Sequence, residues 1–225
     1  MGISNLDETI FTTNLTKESS YLLGFIWGDG YLYKKTNKVT VEIISKDFIY
    51  LEPIVNKVGK FTFFSRKKIS QFRKPQCGFT VTNRIFFNFL LSLGYGDKSY
   101  HSHKNILEFI PEHLKSFWLR GFFDADGCIY YNKENYCLQS TFCSSYEQDW
   151  SFFSDYLTSN NIKNTIIYRN YKKTKHSVVR IIGKKNNLNL FNLLYENQKY
   201  DFGYKRKFDK FAGINYNFRK TGPKV

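Results

Sequence analysis

Two short stretches of the sequence each place an aspartate between small residues at the end of an apolar run. They are LLGFIWGDG at 22–30 and LRGFFDADG at 119–127, and the aspartates are Asp29 and Asp126. Two carboxylates brought together without a basic partner repel, so one takes up a proton or a divalent cation neutralises both. Oxygen ligands of this kind suit Mg²⁺. The pair therefore predicts a shared cation site, provided that the fold brings the two stretches together.

The residues before each aspartate have the composition of a buried helix. Thr16 is a good N-cap for the first helix, and Pro111 followed by Glu112 marks the start of the second. Helices with small residues on facing stripes can approach closely, which would bring the aspartates together. An Asp-Gly pair after a helix is also an ordinary turn signal, but the repetition favours a site. The small residues recur four positions apart, at Gly24 and Gly28 and at Gly121 and Ala125.

The repetition extends over nearly the whole chain. Each copy is followed by two β-rich runs, an apolar helix, two further β-rich runs around a basic turn, and a closing helix. The order predicts an α+β protein of two pseudo-symmetric αββαββα repeats. We place the first repeat at residues 1–96, a linker at 97–111 and the second repeat at 112–225.

The charge of the chain indicates the kind of partner. Lys and Arg number 34 against 19 Asp and Glu, which gives a net charge of +15 and predicts a polyanionic partner. No stretch approaches the roughly 18 consecutive apolar residues of a membrane span, and residues 1–14 lack the pattern of a signal peptide. We therefore expect a soluble intracellular protein without a membrane partner, in a host compartment that the sequence does not specify.

Cysteine and histidine give no second site. The four cysteines form no CxxC pair, so we expect reduced thiols. His101, His103 and His113 are spaced as in a solvated linker, and we favour this interpretation over a metal site.

The two aspartate stretches resemble the LAGLIDADG homing endonucleases, in the monomeric class with two motif copies in one chain. Both stretches align with the nine motif positions without gaps. The resemblance implies a saddle-shaped, four-stranded antiparallel sheet in each repeat, with the repeats packed through the two motif helices. It also implies a monomer that cuts both strands of double-stranded DNA at one long site, as an intron-encoded enzyme that promotes intron mobility.

The resemblance also implies roles for particular residues. The acids at the eighth motif position, Asp29 and Asp126, would bind metal, and we include the adjoining Gly28 and Ala125 in the predicted metal site. The expected cofactor is Mg²⁺ or Mn²⁺, with Ca²⁺ supporting binding without cleavage. The sixth motif position is Trp27 in the first copy and Asp124 in the second, which suggests that the halves differ in detail.

Lysines that follow the last helix of each repeat are further candidates. The resemblance implies that Lys98 and Lys207, or its neighbour Lys205, support catalysis beside the phosphate. The alternative is that they are solvated lysines in a lysine-rich chain.

Strand alternation separates core residues from candidate DNA contacts. Val39, Val41 and Ile43 are predicted to face the core, which leaves polar residues for base edges and basic turns for phosphates. A merely solvated sheet face is the alternative. The predicted DNA contacts are Thr40, Glu42, Arg66, Lys68, Arg73, Thr80, Thr82, Gln139, Thr141, Arg169, Lys173 and Arg180.

Two other functions remain open. Proteins of this family can act as RNA maturases that bind a group I intron and assist splicing, and intact aspartates do not exclude that role. A glycosidase would also use paired carboxylates, but it would leave the +15 charge without a purpose.

Overall fold

The computed structural model describes residues 6–67, 74–132, 137–171, 174–195 and 199–220. The chain begins with a short helix, α1 (Thr9–Thr12), followed by α2 (Lys17–Asp29). The predicted N-cap is confirmed. The Thr16 side chain accepts the backbone N–H of Ser19 at 3.1 Å, and the Ser19 hydroxyl accepts that of Thr16 at 2.8 Å. This capping box fixes where α2 begins.

The first repeat continues from α2 into a four-stranded antiparallel sheet. The strands occur in the order β1-β2-β4-β3, so that β1 and β3 lie at the edges. Helices follow each pair of strands. The elements are β1 (Gly30–Tyr33), β2 (Lys38–Ile44), α3 (Ser45–Val58), β3 (Thr62–Arg66), β4 (Gln76–Thr82) and α4 (Arg84–Ser92).

The second repeat has the same order of elements. Its sheet runs β5-β6-β8-β7, which matches the first sheet strand for strand and confirms the predicted fold class. A short 3-10 helix at Tyr95–Asp97 and a helix α5 at Lys104–Phe109 precede it. The remaining elements are α6 (Glu112–Asp126), β5 (Gly127–Asn132), β6 (Cys137–Ser145), α7 (Ser151–Ser159), β7 (Thr165–Tyr171), β8 (Thr174–Ile182), α8 (Lys184–Leu194) and α9 (Lys205–Lys220).

Helices α2 and α6 pack against each other in the middle of the molecule. A Cβ added to Gly24 would lie 1.9 Å from the carbonyl oxygen of Trp118, and one added to Gly121 would lie 1.9 Å from that of Tyr21. No side chain fits at such distances, so the backbones touch where the glycines meet. The predicted close contact between small-residue stripes is confirmed.

Each repeat sends the segment after its closing helix onto the other repeat. Arg206 of the second repeat forms a two-point ion pair with Asp47 at the start of α3, with N–O distances of 3.0 and 2.9 Å. In the opposite direction, the Ser145 hydroxyl donates to the carbonyl oxygen of Ser99 at 2.9 Å. These reciprocal contacts join the two halves beyond the central helices.

The expectation of a solvated histidine linker is wrong for His103. Its ring is fully buried and lies 4.9 Å from the ring of Trp27 and 5.1 Å from that of Trp150, centroid to centroid. Burial lowers the pKa of His103 to about 3, so that the ring is neutral in the core. The linker was misjudged because its two short helices give no clear periodic pattern. His101 is exposed, as expected.

Strand alternation is confirmed where it was applied to the first sheet, since Val39, Val41 and Ile43 are buried. All four cysteines are free thiols. No helix in the part of the chain that the structure describes has the length and apolar character that crossing a bilayer needs.

Candidate active site

The two repeated aspartates are the last residues of the central helices. Asp29 ends α2 and Asp126 ends α6. A Cβ added to Gly28 would lie 2.4 Å from Cβ of Ala125 and 3.0 Å from Oδ2 of Asp126, so the two helix ends are in direct contact. Asp29 is exposed and Asp126 is half-buried. The helix contact therefore presents two neighbouring carboxylates at one place on the surface.

The surroundings make full ionisation of this pair unfavourable. Although Asp29 is accessible, desolvation by the surrounding protein and the charge of Asp126 raise its pKa to about 6. Desolvation also raises the pKa of Asp126, against the opposing effect of Lys98 and Lys207. A pair of accessible carboxylates that resists holding two negative charges is the expected environment for a cation.

A lysine lies under the end of each central helix. Nζ of Lys98 donates to the backbone carbonyl oxygens of Ile26, Gly28 and Gly30 at 3.2, 2.6 and 2.8 Å. These carbonyls belong to the negative end of α2, where a cation is favourable. Because an ammonium has three donors, this set of carbonyls occupies all of them.

Lys207 has the same position under α6. Its Nζ donates to the carbonyl oxygens of Phe123, Asp124 and Gly127, the last two at 2.7 Å. Burial lowers the pKa of Lys98 and of Lys207 to about 8, against the opposing effect of the nearby carboxylates. Both lysines therefore supply a positive charge next to the aspartates, from a half-buried side chain at Lys98 and a buried one at Lys207.

The alternative of a solvated lysine is wrong for Lys207, which is buried. It does apply to Lys205, which is exposed and pairs with Asp209 at 2.6 Å. Of the two candidates in the second repeat, only Lys207 reaches the helix end.

A second repeated motif, missed in the sequence analysis, delivers these lysines. The segments are GYGDK at 94–98 and GYKRK at 203–207. Gly94 and Gly203 both have positive φ, at 91° and 95°, in the left-handed region that favours glycine. Tyr95 and Tyr204 are both buried. The shared Gly-Tyr-x-x-Lys spacing was visible in the sequence and would have selected Lys207 over Lys205.

The sixth motif position differs between the repeats, as predicted. Asp124 is buried, and its Oδ2 accepts hydrogen bonds from the hydroxyl of Tyr21 and the backbone N–H of Tyr204, each at 2.7 Å. Trp27 instead packs its ring 4.8 Å from that of Tyr95. The two halves therefore hold their Gly-Tyr-x-x-Lys segments by different means, one polar and one apolar.

Comparison with known proteins agrees with this arrangement. The family model of the LAGLIDADG-like domain matches residues 114–194, which hold all but the end segments of the second repeat. The first repeat has the same fold and the same helix-end acid. The second repeat is thus similar to a LAGLIDADG-like domain. Among the curated proteins, none matches it by sequence.

Solved structures share the fold at low sequence identity. The homing endonuclease I-WcaI, bound to its DNA recognition sequence, has 17% identity and a TM-score of 0.57 over 86% of this chain and 90% of its own. Full-length DUF199/WhiA from Thermatoga maritima has 18% identity and a TM-score of 0.56 over 97% of this chain and 66% of its own. An I-DmoI variant, in complex with its target DNA and in the presence of Mn, has 15% identity and a TM-score of 0.53 over 79% and 93%.

The chain places most of the predicted contacts of its first sheet on the face away from the core. Thr40 pairs in register with Thr80, and their hydroxyls lie 3.0 Å apart. Glu42 lies 3.4 Å from the guanidinium of Arg66, and both side chains are partly or largely accessible. Thr82 is exposed at the end of the same face.

The second sheet follows the prediction less closely. Gln139 and Arg180 are half-buried and Arg169 is exposed. Thr141 was expected to be exposed, but only 8% of it is accessible, because Cys128 and Arg180 flank it in register. Lys68, Arg73 and Lys173 lie outside the described residues.

Exposed tyrosines on these faces were not anticipated. Tyr31, Tyr33 and Tyr130 are among the exposed aromatic side chains of the strands that follow the two central helices. No role was predicted for the aromatic residues of the strands, although strand parity places Tyr31 and Tyr33 on the same face of β1.

The aspartate pair fits a divalent metal ion by the chemistry of its donors. Its oxygens are hard ligands on an accessible surface, and binding a cation would relieve the repulsion that raises their pKa values. Within the described ranges, no group of three or more His, Cys, Asp or Glu side chains could hold a metal. Further ligands would thus come from backbone, water or a bound phosphate. The carbonyl of Gly28 already accepts a hydrogen bond from Lys98, which leaves it less free for that role than the carboxylates.

Proposed function

We propose that this chain is a metal-dependent endonuclease that cuts both strands of double-stranded DNA at one long recognition site. The observation that carries the proposal is the meeting of Asp29 and Asp126 at touching helix ends, each above a lysine that is bound to the carbonyls of its helix end. The DNA-bound structures of I-WcaI and of the I-DmoI variant, which share the fold, support it. The proposed cofactor is Mg²⁺ or Mn²⁺, with Ca²⁺ supporting binding alone.

The two sheets would bind the duplex. The net charge of +15 favours a polyanion, and Arg66 and Arg169 are exposed cations at the ends of the sheet faces. Such residues contact phosphates, while polar strand residues such as Thr40 and Gln139 face base edges. Because two repeats in one chain offer two sheets, a monomer suffices for one continuous site.

The residues at the helix ends would perform the chemistry. Asp29 and Asp126 would hold the divalent ion at the scissile phosphates. A bound divalent ion lowers the pKa of an attacking water and stabilises the leaving oxygen. Lys98 and Lys207 donate to backbone carbonyls only, so they act through their charge and by holding the helix ends in place, without a free donor for the phosphate.

Cleavage of a library of duplexes in Mg²⁺ tests the proposal. We expect the wild type to cut at one long site, and Asp29→Asn and Asp126→Asn to bind that site in Ca²⁺ without double-strand cleavage in Mg²⁺. Asp155→Asn changes an exposed carboxylate on α7 and serves as the control that keeps activity. Unchanged cutting by either active-site variant would remove that aspartate from the mechanism.

The alternative maturase role makes a different prediction. Binding of a group I intron RNA would use the basic surface but would not need the aspartates. Faster splicing in the presence of the protein, retained by Asp29→Asn and without any DNA cut by the wild type, would assign the RNA role. An intron-encoded endonuclease would instead cut the intronless form of the gene that carries it and spare the intron-containing form.

A further inference from the structure

A pocket of about 720 Å³ lies beside the active site in the first repeat. One wall is β1, an edge strand, and the other is the segment 95–100 that carries the Gly-Tyr-x-x-Lys motif. Gly30, which follows Asp29 directly, and Lys98, which lies under the end of α2, both line it. The pocket therefore adjoins the proposed metal site.

Aromatic side chains form much of the pocket. Tyr31, Tyr33 and Tyr100 are 60%, 44% and 66% exposed, which leaves large ring surfaces in contact with water. The rings of Tyr31 and Tyr33 meet edge to face with centroids 4.4 Å apart. Several exposed rings clustered on a protein surface mark a binding site more often than single exposed rings do.

The charge of the pocket is positive. Four lysines line it against one carboxylate, that of Asp97, and the ammonium of Lys38 lies 4.9 Å from the centroid of the Tyr33 ring. Ring faces beside ammonium groups match the two parts of a nucleotide, its base and its phosphate. The four lysines are Lys34, Lys35, Lys38 and Lys98.

We propose that this pocket binds one unpaired nucleotide of the DNA strand that the first repeat cuts, next to the scissile phosphate. The base would stack on Tyr31 or Tyr100, and Lys34, Lys35 and Lys38 would contact its phosphate, while Lys98 would add its charge alone. Bases inside a duplex show only their edges, so a nucleotide must leave the stack to present its face. The volume suits a ligand of nucleotide size, since small-molecule pockets span about 300–1,000 Å³. The identity of this strand rests on the proposed nuclease function.

The second repeat is not built in the same way. Cys128 stands where the first repeat has Tyr31, and Asp209 stands where it has Tyr100, counted from the motif lysines. Only Tyr130, the counterpart of Tyr33, keeps an exposed ring. The proposal therefore predicts an unpaired nucleotide on one strand and none at the equivalent position of the other.

Photocrosslinking with a thymine analogue tests the pocket without depending on cleavage. Duplexes carrying 5-iododeoxyuridine at successive positions near the cut are bound in Ca²⁺ and irradiated, and the attached peptide is identified by mass spectrometry. We expect one position on one strand to crosslink to Tyr31, Tyr33 or Tyr100, and a thymine there to react with permanganate. The double variant Tyr31→Ala/Tyr33→Ala should lose both signals, whereas Tyr130→Ala, the matched control, should keep them. Bound DNA with every thymine protected and no crosslink in the pocket would overturn the proposal.

Short single-stranded oligonucleotides separate failure of the pocket from failure of the nuclease function. We expect the wild type to bind an oligothymidylate at least about tenfold more tightly than Tyr31→Ala/Tyr33→Ala, because one stacked base is lost. If no duplex is bound but this difference remains, the nuclease proposal fails and the pocket stands. Stronger tyrosine-dependent binding of the matching RNA would assign the nucleotide to RNA and contradict the assignment to a DNA strand. Equal binding of the oligonucleotide by both proteins would overturn the pocket as well.

Discussion

The Asp124 carboxylate accepts the backbone N–H of Tyr204 at 2.7 Å, three residues before the lysine that lies under the end of α6. The same oxygen accepts the hydroxyl of Tyr21, from the other central helix. Gly203 packs so tightly here that an added Cβ would lie 2.7 Å from that oxygen. Asp124 therefore anchors the turn that directs Lys207, although it does not contact the ammonium with its own side chain.

Removing this anchor should separate the two cleavage events. In Asp124→Leu, the buried N–H of Tyr204 and hydroxyl of Tyr21 lose their acceptor, and we expect a loss of roughly 2–3 kcal/mol in the free energy of unfolding. Lys207 would leave its position, so one strand of a supercoiled target should be cut more slowly and nicked circles should accumulate. The ratio of nicked to linear product in Mg²⁺, under conditions where the variant is folded, measures the effect.

The conservative variants distinguish positioning from bulk stability. Asp124→Asn keeps an acceptor oxygen and should restore most of the linear product. Trp27→Phe, at the same motif position of the first repeat, should lower the free energy of unfolding but should not slow the strand cut made by the second repeat. A folded Asp124→Leu protein with the wild-type ratio of products would show that Asp124 has no part in placing Lys207.

The contact between the central helices should tolerate no methyl group at its crossing point. Gly24→Ala would place Cβ 1.9 Å from a backbone oxygen of Trp118, so the helices must separate. We expect a loss of at least about 2–3 kcal/mol by chemical denaturation, together with weaker cleavage because the aspartates move apart. Gly213→Ala is the control, since nothing lies within 4 Å of its added Cβ, and we expect a change of less than about 1 kcal/mol in the stabilising direction. Similar results for the two variants would contradict the packing.

The ion pair between Arg206 and Asp47 should contribute measurably to the stability of the whole chain. The Asp47 side chain is 6% exposed and that of Arg206 is 49% exposed, so Arg206→Ala leaves a buried carboxylate without its partner. In a double-mutant cycle with Asp47→Ala we expect a coupling of about 1–3 kcal/mol. The half-exposed pair of Lys205 and Asp209 should give no more than about 0.5 kcal/mol in the same experiment. Equal coupling energies for the two pairs would mean that the ion pair between the repeats contributes no more to the free energy of unfolding than a surface pair does.

Acid should destabilise the protein partly through His103. Its pKa is about 3 in the folded state and about 6.5 in the unfolded state, so between these values only the unfolded chain takes up the proton. The contribution of the neutral ring is complete above pH 6.5 and is lost as the pH falls toward 3, with a slope of up to about 1.4 kcal/mol per pH unit. Denaturation curves between pH 7.5 and 4.5 should therefore fall less steeply for His103→Phe than for the wild type. The exposed His101→Gln should follow the wild type, and parallel curves for all three proteins would exclude the buried histidine as a cause.

The sequence predicted well where a pattern repeated or alternated. The nine-residue motif located both aspartates and the glycine contact, and strand parity placed Val39 and Thr40 on opposite faces. It failed where contacts between distant segments decide the outcome. Burial of His103 depends on aromatic residues from both repeats, and the low exposure of Thr141 depends on its strand neighbours. Neither effect leaves a local pattern.

The active site was predicted only in part, again because contacts between distant segments leave no local pattern. A lysine was expected after each closing helix, but its ligands are backbone carbonyls, which carry no sequence signal. The Gly-Tyr-x-x-Lys repeat did carry a sequence signal for the position of the lysine. This signal was missed because three matches in five residues are far weaker than a motif of nine residues.

Because each repeat's final segment crosses onto the other repeat, the two halves of the active site depend on each other for their structure. The segment that carries Lys207 contacts the first half, where the ring of Phe202 packs against that of Tyr21 and Arg206 pairs with Asp47. The segment after Lys98 accepts a hydrogen bond from Ser145 of the second half. Local unfolding of either repeat would therefore also abolish cleavage by the other repeat. A chain of this design should lose both strand cuts together on heating, and two separately expressed halves would have to find each other before either could work.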